Sequence, residues 1–224
     1  IDGGTGNDTL WGGQLSDIYY VDSENDVITG EFTNQFYGAN TDKVVSTADR
    51  YTLGDQLEVL ELDGDIALFG GGNDLDNIFL LDYGHEGVTF DGGLGDDFYV
   101  VNASTQIVED ADGGHDTLVV RASSYTLGEY VEDGKIQAAN AILVGNNLSN
   151  TLWAYGSDIS SKMPRWNWGF ELGRAYTDPV AEPILTEAVD DLVNWQVSKS
   201  AGSTLVGGAG DDRLFGAELN DTLD

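Results

Sequence analysis

Residues 3–11, GGTGNDTLW, constrain what this chain can fold into more than any other stretch. They fit the pattern G-G-x-G-x-D-x-U-x, where U is a large apolar residue. Two further full copies occur, GGLGDDFYV at 92–100 and GGAGDDRLF at 207–215. Each position has a physical reason. Glycines let the backbone take positive φ and turn its carbonyls toward one point. The aspartate adds a hard carboxylate oxygen at that point, and the apolar residue two places on starts a short strand that turns into a core. A hard divalent cation wanting several oxygen ligands, calcium above all, suits such a turn. A single Gly-Asp turn is common and says little. Recurrence in register is what makes the pattern informative.

Imperfect copies fill the intervals. Residues 12–20, GGQLSDIYY, offer Asp17 as a ligand and Tyr19 as a core residue. Residues 21–29 have lost their glycines but keep Asp26 and Ile28 at the ligand and core positions. After a loop at 32–40 rich in asparagine and aromatics, Asp42 and Val44 resume the spacing. Alternating apolar segments around 57–62 and 66–69 read as strands without ligands. At 72–80, GNDLDNIFL, Asn77 replaces the aspartate, so a site there is expected to be weaker or empty. From Gly92 the whole cycle returns. Tyr51-Thr52-Leu53-Gly54 reappears as Tyr125-Thr126-Leu127-Gly128, and Gly72-Asn73 reappears at almost the same interval as Gly145-Asn146. A higher-order repeat built from such units indicates a solenoid.

One segment breaks the pattern and divides the chain into repeats at 1–157, an insert at 158–202 and resumed repeats at 203–224. Without the insert, residues 145–157 would run straight into Ser203-Thr204-Leu205-Val206. The insert holds Trp166, Trp168, Trp195, all three prolines and the only methionine. Within it Asp178 is placed to cap a predicted helix over 180–197. The apolar residues Ile184, Leu185, Ala188, Val189, Leu192 and Val193 fall at helical spacing, with Pro183 in the first turn. This reads as a helical loop packed on the flank of the solenoid.

Composition sharpens the reading. Forty acidic residues stand against 9 basic ones, a formal net charge of −31, which argues against nucleic acid and anionic membrane as partners. Such charge also opposes any compact state unless cations neutralise it. A 41% hydrophobic and 10% aromatic content supplies a core, unlike an acid-rich disordered chain. With no cysteine, disulfides and thiolate sites are excluded. No apolar run reaches membrane-spanning length, so no membrane insertion is expected. The chain opens and closes in nonapeptide phase, as expected of a piece of a longer repetitive protein. Its terminal coils would then expose strand edges, and self-association is expected. No H-E-x-x-H, G-x-S-x-G or phosphate loop is present, His85 and His115 read as turn residues, and metal-binding turns account for the carboxylate pairs. The expectation is therefore a protein that is not an enzyme.

These motifs resemble the RTX family of hemolysin-type calcium-binding repeats, over most residues outside 158–202. The resemblance implies an all-β parallel β-roll, or β-solenoid, with bound calcium and, in this chain, one inserted helical loop. Each nonapeptide would be half a coil, with alternate copies stacked on the same edge and calcium between stacked turns. The ligand set carried over is Gly3, Gly4, Gly6 and Asp8; Gly12, Gly13 and Asp17; Asp26; Asp42; Asn77; Gly92, Gly93, Gly95 and Asp97; Gly114 and Asp116; Asn150; Gly207, Gly208, Gly210 and Asp212; and Asp221. The implied stacked pairs are Asp8 with Asp26, Asp17 with Asp42, Asp97 with Asp116 or Asn77, and Asp212 with Asn150. The implied inward ladder is Leu10, Tyr19, Ile28, Val44, Phe79, Tyr99, Leu118, Leu152, Leu205, Leu214 and Leu223, held against acid repulsion along both edges. The family further implies type I secretion and folding outside the cell, hence an extracellular or cell-surface location. The expected role is a calcium-folded structural module of an adhesin or surface-layer protein. Two alternatives stay open: a module binding surface glycan through Trp166 and Trp168 of the insert, and the calcium-binding tail of a secreted hydrolase.

Overall fold

Every nonapeptide and every degenerate copy delivers its apolar residue into a strand of two to four residues, too short to be stable except by stacking on the next coil. The structure, a computed structural model, describes residues 1–31, 41–63, 68–81, 85–138, 140–154, 203–216 and 221–224. One face of the coil is a nine-stranded parallel sheet. Its strands are β2 (Ile18–Val21), β4 (Lys43–Ser46), β6 (Val59–Leu62), β8 (Ile78–Leu81), β10 (Phe98–Val101), β12 (Thr117–Val120), β14 (Asp133–Ile136), β16 (Thr151–Trp153) and β18 (Arg213–Phe215). The alternate strands form three shorter parallel sheets. The first pairs β1 (Thr9–Trp11) with β3 (Val27–Thr29). The second contains β5 (Arg50–Thr52), β7 (Phe69–Gly71), β9 (Thr89–Asp91) and β11 (Gln106–Val108). The third contains β13 (Ser124–Thr126), β15 (Ile142–Val144), β17 (Thr204–Val206) and β19 (Thr222–Leu223). The described residues thus form an all-β parallel solenoid, as the repeat demands.

Register explains the core. Along the nine-stranded sheet, Tyr19, Val44, Leu60, Phe79, Tyr99, Leu118, Gly134, Leu152 and Leu214 are successive partners, and all point inward. Tyr19, Val44, Leu60, Phe79, Tyr99, Leu118 and Leu152 are fully buried. Each such burial contributes roughly 1.5–3 kcal/mol. Phe79 stacks on Tyr99 at 4.9 Å between ring centres and meets Phe90 from the opposite sheet at 5.0 Å. Gly70 makes space for that ring, since a Cβ there would lie 2.7 Å from Phe90. The expected ladder weakens at its ends. Ile28 and Leu214 are only partly buried, and Leu223 is half exposed. The cause is position: β19 pairs only with β17, so no described coil covers its other side.

The cycle read from the sequence appears in the register. Lys43 and Thr117 hold equivalent places in it, each one strand before a shortened coil, and so do Val59 and Asp133. Across the insert the coils stack without interruption, Ile142 against Thr204 and Thr151 against Arg213. The predicted helix at 180–197 and the side chains of Trp166 and Trp168 lie outside the described residues, as does Ile66 of the predicted strand at 66–69.

Candidate metal centres along one edge

A parallel stack of constant phase places the same coil position above itself in every layer. At the edge where the chain enters the nine-stranded sheet, the residue just before each strand is, in order, Asp17, Asp42, Glu58, Asn77, Asp97, Asp116, Glu132, Asn150 and Asp212. This is Asp-Asp-Glu-Asn, twice, then Asp. Backbone N–H groups of one coil donate to side-chain oxygens of the next. Asp17 donates to Asp42 Oδ1 at 2.8 Å, Asp42 to Glu58 Oε2 at 2.8 Å, Asn77 to Asp97 Oδ1 at 2.6 Å and Asp97 to Asp116 Oδ1 at 2.9 Å. Asp116 donates to Glu132 Oε2 at 2.9 Å, and Asn150 to Asp212 Oδ1 at 2.9 Å. The stacked pairs implied by the resemblance on this edge are therefore brought together. Glu58 and Glu132 were not in the expected set. They stand where the coil shortens, between Lys43 and Val59 and again between Thr117 and Asp133, and the longer side chain still reaches its neighbour.

Among the described residues, two places on this edge gather three carboxylates. Oxygens of Asp17, Glu31 and Asp42 lie within 4.8 Å of one another, and so do oxygens of Asp97, Glu109 and Asp116. The glutamates come from the turns leaving β3 and β11. Each accepts a hydrogen bond from a core tyrosine hydroxyl, Tyr19 to Glu31 and Tyr99 to Glu109. Sequence reasoning missed both glutamates because the nonapeptide has glycine, not an acid, in that turn. The available signal was a glutamate just past a short apolar strand, VITGE and QIVED, once in each cycle.

The glycines divide into two tasks. Gly4, Gly6, Gly13, Gly93, Gly95, Gly114, Gly208 and Gly210 have positive φ, as the turn requires. The first glycine of each copy instead makes room. A Cβ on Gly92 would collide with the Tyr99 hydroxyl, Asp97 and Glu109, and one on Gly12 with the Tyr19 hydroxyl and Asp17. Gly3 and Gly207 likewise face Asp8 and Asp212.

Electrostatics at the two centres are unfavourable as they stand. Asp116 is completely buried, and its Oδ2 has no partner; neither has Oε2 of Glu31 or of Glu109. Burial first, and then repulsion from Glu109 and Asp116, pushes the Asp97 carboxyl up to about 9. Burial, with Asp116 next, pushes Glu109 to about 8. Asp116 rises to about 7 through burial, with Glu132 adding repulsion and His115 opposing it. In the first centre, burial pushes Asp42 to about 8, and burial with Asp17 raises Glu31. Tyr99 is held well above its usual range by the same burial and the same acids.

Asparagine closes its coils differently. Asn73 Nδ2 donates to the carbonyls of Gly54 at 2.7 Å and Leu57 at 2.8 Å, and Asn77 Nδ2 to Leu57 at 3.1 Å. One cycle on, Asn146 Nδ2 donates to Gly128 at 2.6 Å and Val131 at 2.7 Å, and Asn150 Nδ2 to Val131 at 3.1 Å. Amide hydrogens here satisfy carbonyls that face a coil edge.

The opposite edge departs from the expected acid lining. Asp8 donates its N–H to Asp26 Oδ1 at 2.8 Å, so that pair does stack. Asp26 Oδ2, however, already accepts the N–H groups of Asp22 and Ser23 at 3.1 and 3.2 Å. Ser203 donates to Asp221 Oδ1 at 2.7 Å. Between these ends, the position just before each strand holds Asp49, which is exposed, and then Leu68, Val88, Thr105, Ser123, Ala141 and Ser203, with Val88 and Ala141 fully buried. Carboxylates concentrate on one edge because the other is closed by apolar and hydroxyl residues. No family model, no curated protein and no solved structure matches the chain.

Proposed function

We propose that this chain is a calcium-binding structural module whose roll is completed by calcium, with Asp17, Glu31 and Asp42 as one centre and Asp97, Glu109 and Asp116 as the other. One observation carries the reading: three carboxylates converge within 4.8 Å at each centre while buried oxygens lack partners. Like charges held that close in a poorly solvated place repel strongly, and a divalent cation turns the repulsion into attraction. The donor set favours calcium. It is all oxygen, without the imidazole or thiolate that zinc prefers, and a set of carboxylates brought in from separate turns suits a large, geometrically tolerant ion better than magnesium. The asparagine-closed coils need no ion: that of Asn73 and Asn77 lies between the two centres, and that of Asn146 and Asn150 lies beyond the second.

Sites of this class in extracellular proteins bind calcium at roughly 10⁻⁴–10⁻³ M, which suits a module that stays unformed in calcium-poor cytosol and forms outside. An adhesin or surface-layer protein is the setting that needs such a module. Calorimetric titration tests the assignment. Glu109→Gln removes one of three charges and is expected to weaken binding at the second centre about tenfold, ~1.4 kcal/mol. Asp63→Asn, an acid outside both centres, is expected to leave the titration unchanged. Absence of calcium uptake at millimolar concentration, or equal effects of the two substitutions, would exclude these centres.

A further inference from the structure

Two of the junctions between stacked coils are held differently from the rest. Along the nine-stranded sheet the ladders are unbroken, β2 against β4 and β10 against β12 included. The second face is interrupted at those same two junctions: β3 does not pair with β5, nor β11 with β13. Every other junction between successive strands of the nine-stranded sheet has a ladder on both faces. Each break falls where the chain enters a shortened coil, between Lys43 and Val59 or between Thr117 and Asp133. Such a coil has fewer residues to carry its second strand alongside the one before. At the second break the Gln106 N–H donates to Val88 and the Val108 carbonyl accepts from Gly92. Alternation along the strand therefore turns the N–H and carbonyl of Ile107 toward the gap. On the far side Ile142 donates to Ser123 and Leu127 to Val144, which turns the backbone groups of Ser124 and Thr126 toward it. A groove of about 500 Å³ lies over this break, lined by Thr105, Gln106, Val108, Ser124, Thr126 and Ile142. One phenol spans each break. Tyr51 donates to the Asp26 carbonyl at 3.4 Å, and Tyr125 to the Thr105 carbonyl at 2.9 Å.

The carboxylate centres stand at these two junctions. Asp17 and Glu31 bracket the coil of β2 and β3, and Asp42 opens the next. Asp97 and Glu109 bracket the coil of β10 and β11, and Asp116 opens the next. Each centre therefore joins the last coil before a break to the first coil after it. Among the described residues no other junction has such a trio. The two features make one physical sense. A junction with one ladder instead of two is the easiest place for the stack to part. Carboxylates that repel across it make parting easier still, until a cation joins them. We infer that the two centres clamp the two broken junctions, so that the roll consists of three blocks, β1–β3, β4–β11 and β12–β19, which part first at these junctions when calcium is withdrawn. The intact ladders β2–β4 and β10–β12 act as hinges, and the bonds of Tyr51 and Tyr125 as latches. The inference rests on the calcium reading of the same centres and adds where the roll yields.

Hydrogen exchange read by mass spectrometry tests it on the full chain. Calcium is held at about ten times the wild-type dissociation constant, which about half-loads the second centre of Glu109→Gln. Exchange in that variant is expected to rise roughly fivefold in peptides covering β10–β13 and to keep its wild-type rate in β6–β9, inside the central block. Tyr125→Phe removes a latch without touching a ligand. At saturating calcium it is expected to raise exchange in β10–β13 about fivefold, the loss of one hydrogen bond, with calcium uptake by calorimetry unchanged. A rise in Glu109→Gln that is as large in β6–β9 as in β10–β13 overturns the inference even while calcium still binds. So does exchange in Tyr125→Phe that matches the wild type throughout β10–β13. Wild-type exchange that calcium slows nowhere sinks the calcium reading itself, and the clamp with it.

Discussion

Gly92→Val is expected to abolish calcium binding at the second centre and to destabilise the calcium-loaded roll severely. The valine Cβ has nowhere to go: the Tyr99 hydroxyl, Asp97 and Glu109 occupy its position. Overpacking of this kind costs about 1–3 kcal/mol in a rigid surrounding. Displacing the carboxylates also removes the contribution of bound ion, ~2.7 kcal/mol at a hundredfold excess over the dissociation constant. Together these approach the lower end of the whole stability of a small domain, about 5–15 kcal/mol. Gly87→Ala is the informative control. Gly87 has φ +74° but nothing near its Cβ position. That substitution is expected to cost only the left-handed backbone penalty, about 1–2 kcal/mol, with calcium binding intact. Urea unfolding and calorimetry on the two variants distinguish these outcomes. Retention of wild-type binding by Gly92→Val would refute the geometry of the centre.

The second large effect is in pH. In the metal-free roll, Asp97 stands at about 9, Asp42 and Glu109 at about 8, and Asp116 and Glu58 at about 7, against ordinary values of 3.8 for aspartate and 4.5 for glutamate. Between pH ~4 and ~9 the folded chain therefore holds more protons than the unfolded one, and stability falls as pH rises through that window. Each displaced unit corresponds to ~1.4 kcal/mol. In chelator, the chain is expected to hold β-structure near pH 5 and to lose it near pH 8. Calcium reverses the trend by holding the carboxylates ionised, so its affinity rises with pH and its binding releases protons. Circular dichroism of chelated protein at the two pH values, with calorimetry in buffers of different ionisation enthalpy, reads both effects. Stability that increases from pH 5 to pH 8 in chelator would contradict the assignment.

Much of this was legible in the sequence because the repeat is a physical period. Once Leu10, Tyr19 and Tyr99 are placed in the core by the nonapeptide, stacking fixes Asp17 over Asp42 and Asp97 over Asp116, and the structure has those pairs. The seam at the insert was also readable, since removing 158–202 restores the phase that places Thr151 beside Arg213. Positions that break the period were not legible. Glu31 and Glu109 enter the centres from turns where the nonapeptide has glycine. Glu58 and Glu132 depend on shortened coils, and no single copy announces that shortening. The apolar closure of the second edge by Val88 and Ala141 was hidden as well, because those coils carry no motif at all.

The central claim is that calcium decides whether the roll exists at neutral pH, and far-UV circular dichroism in chelator at pH 7.5 tests it most directly. The account predicts a largely disordered chain that gains β-structure as calcium reaches the millimolar range, with no response to magnesium, and with a higher calcium midpoint for Asp97→Asn than for Asp63→Asn. A chain already rich in β-structure in chelator at that pH, and unmoved by calcium, would contradict it.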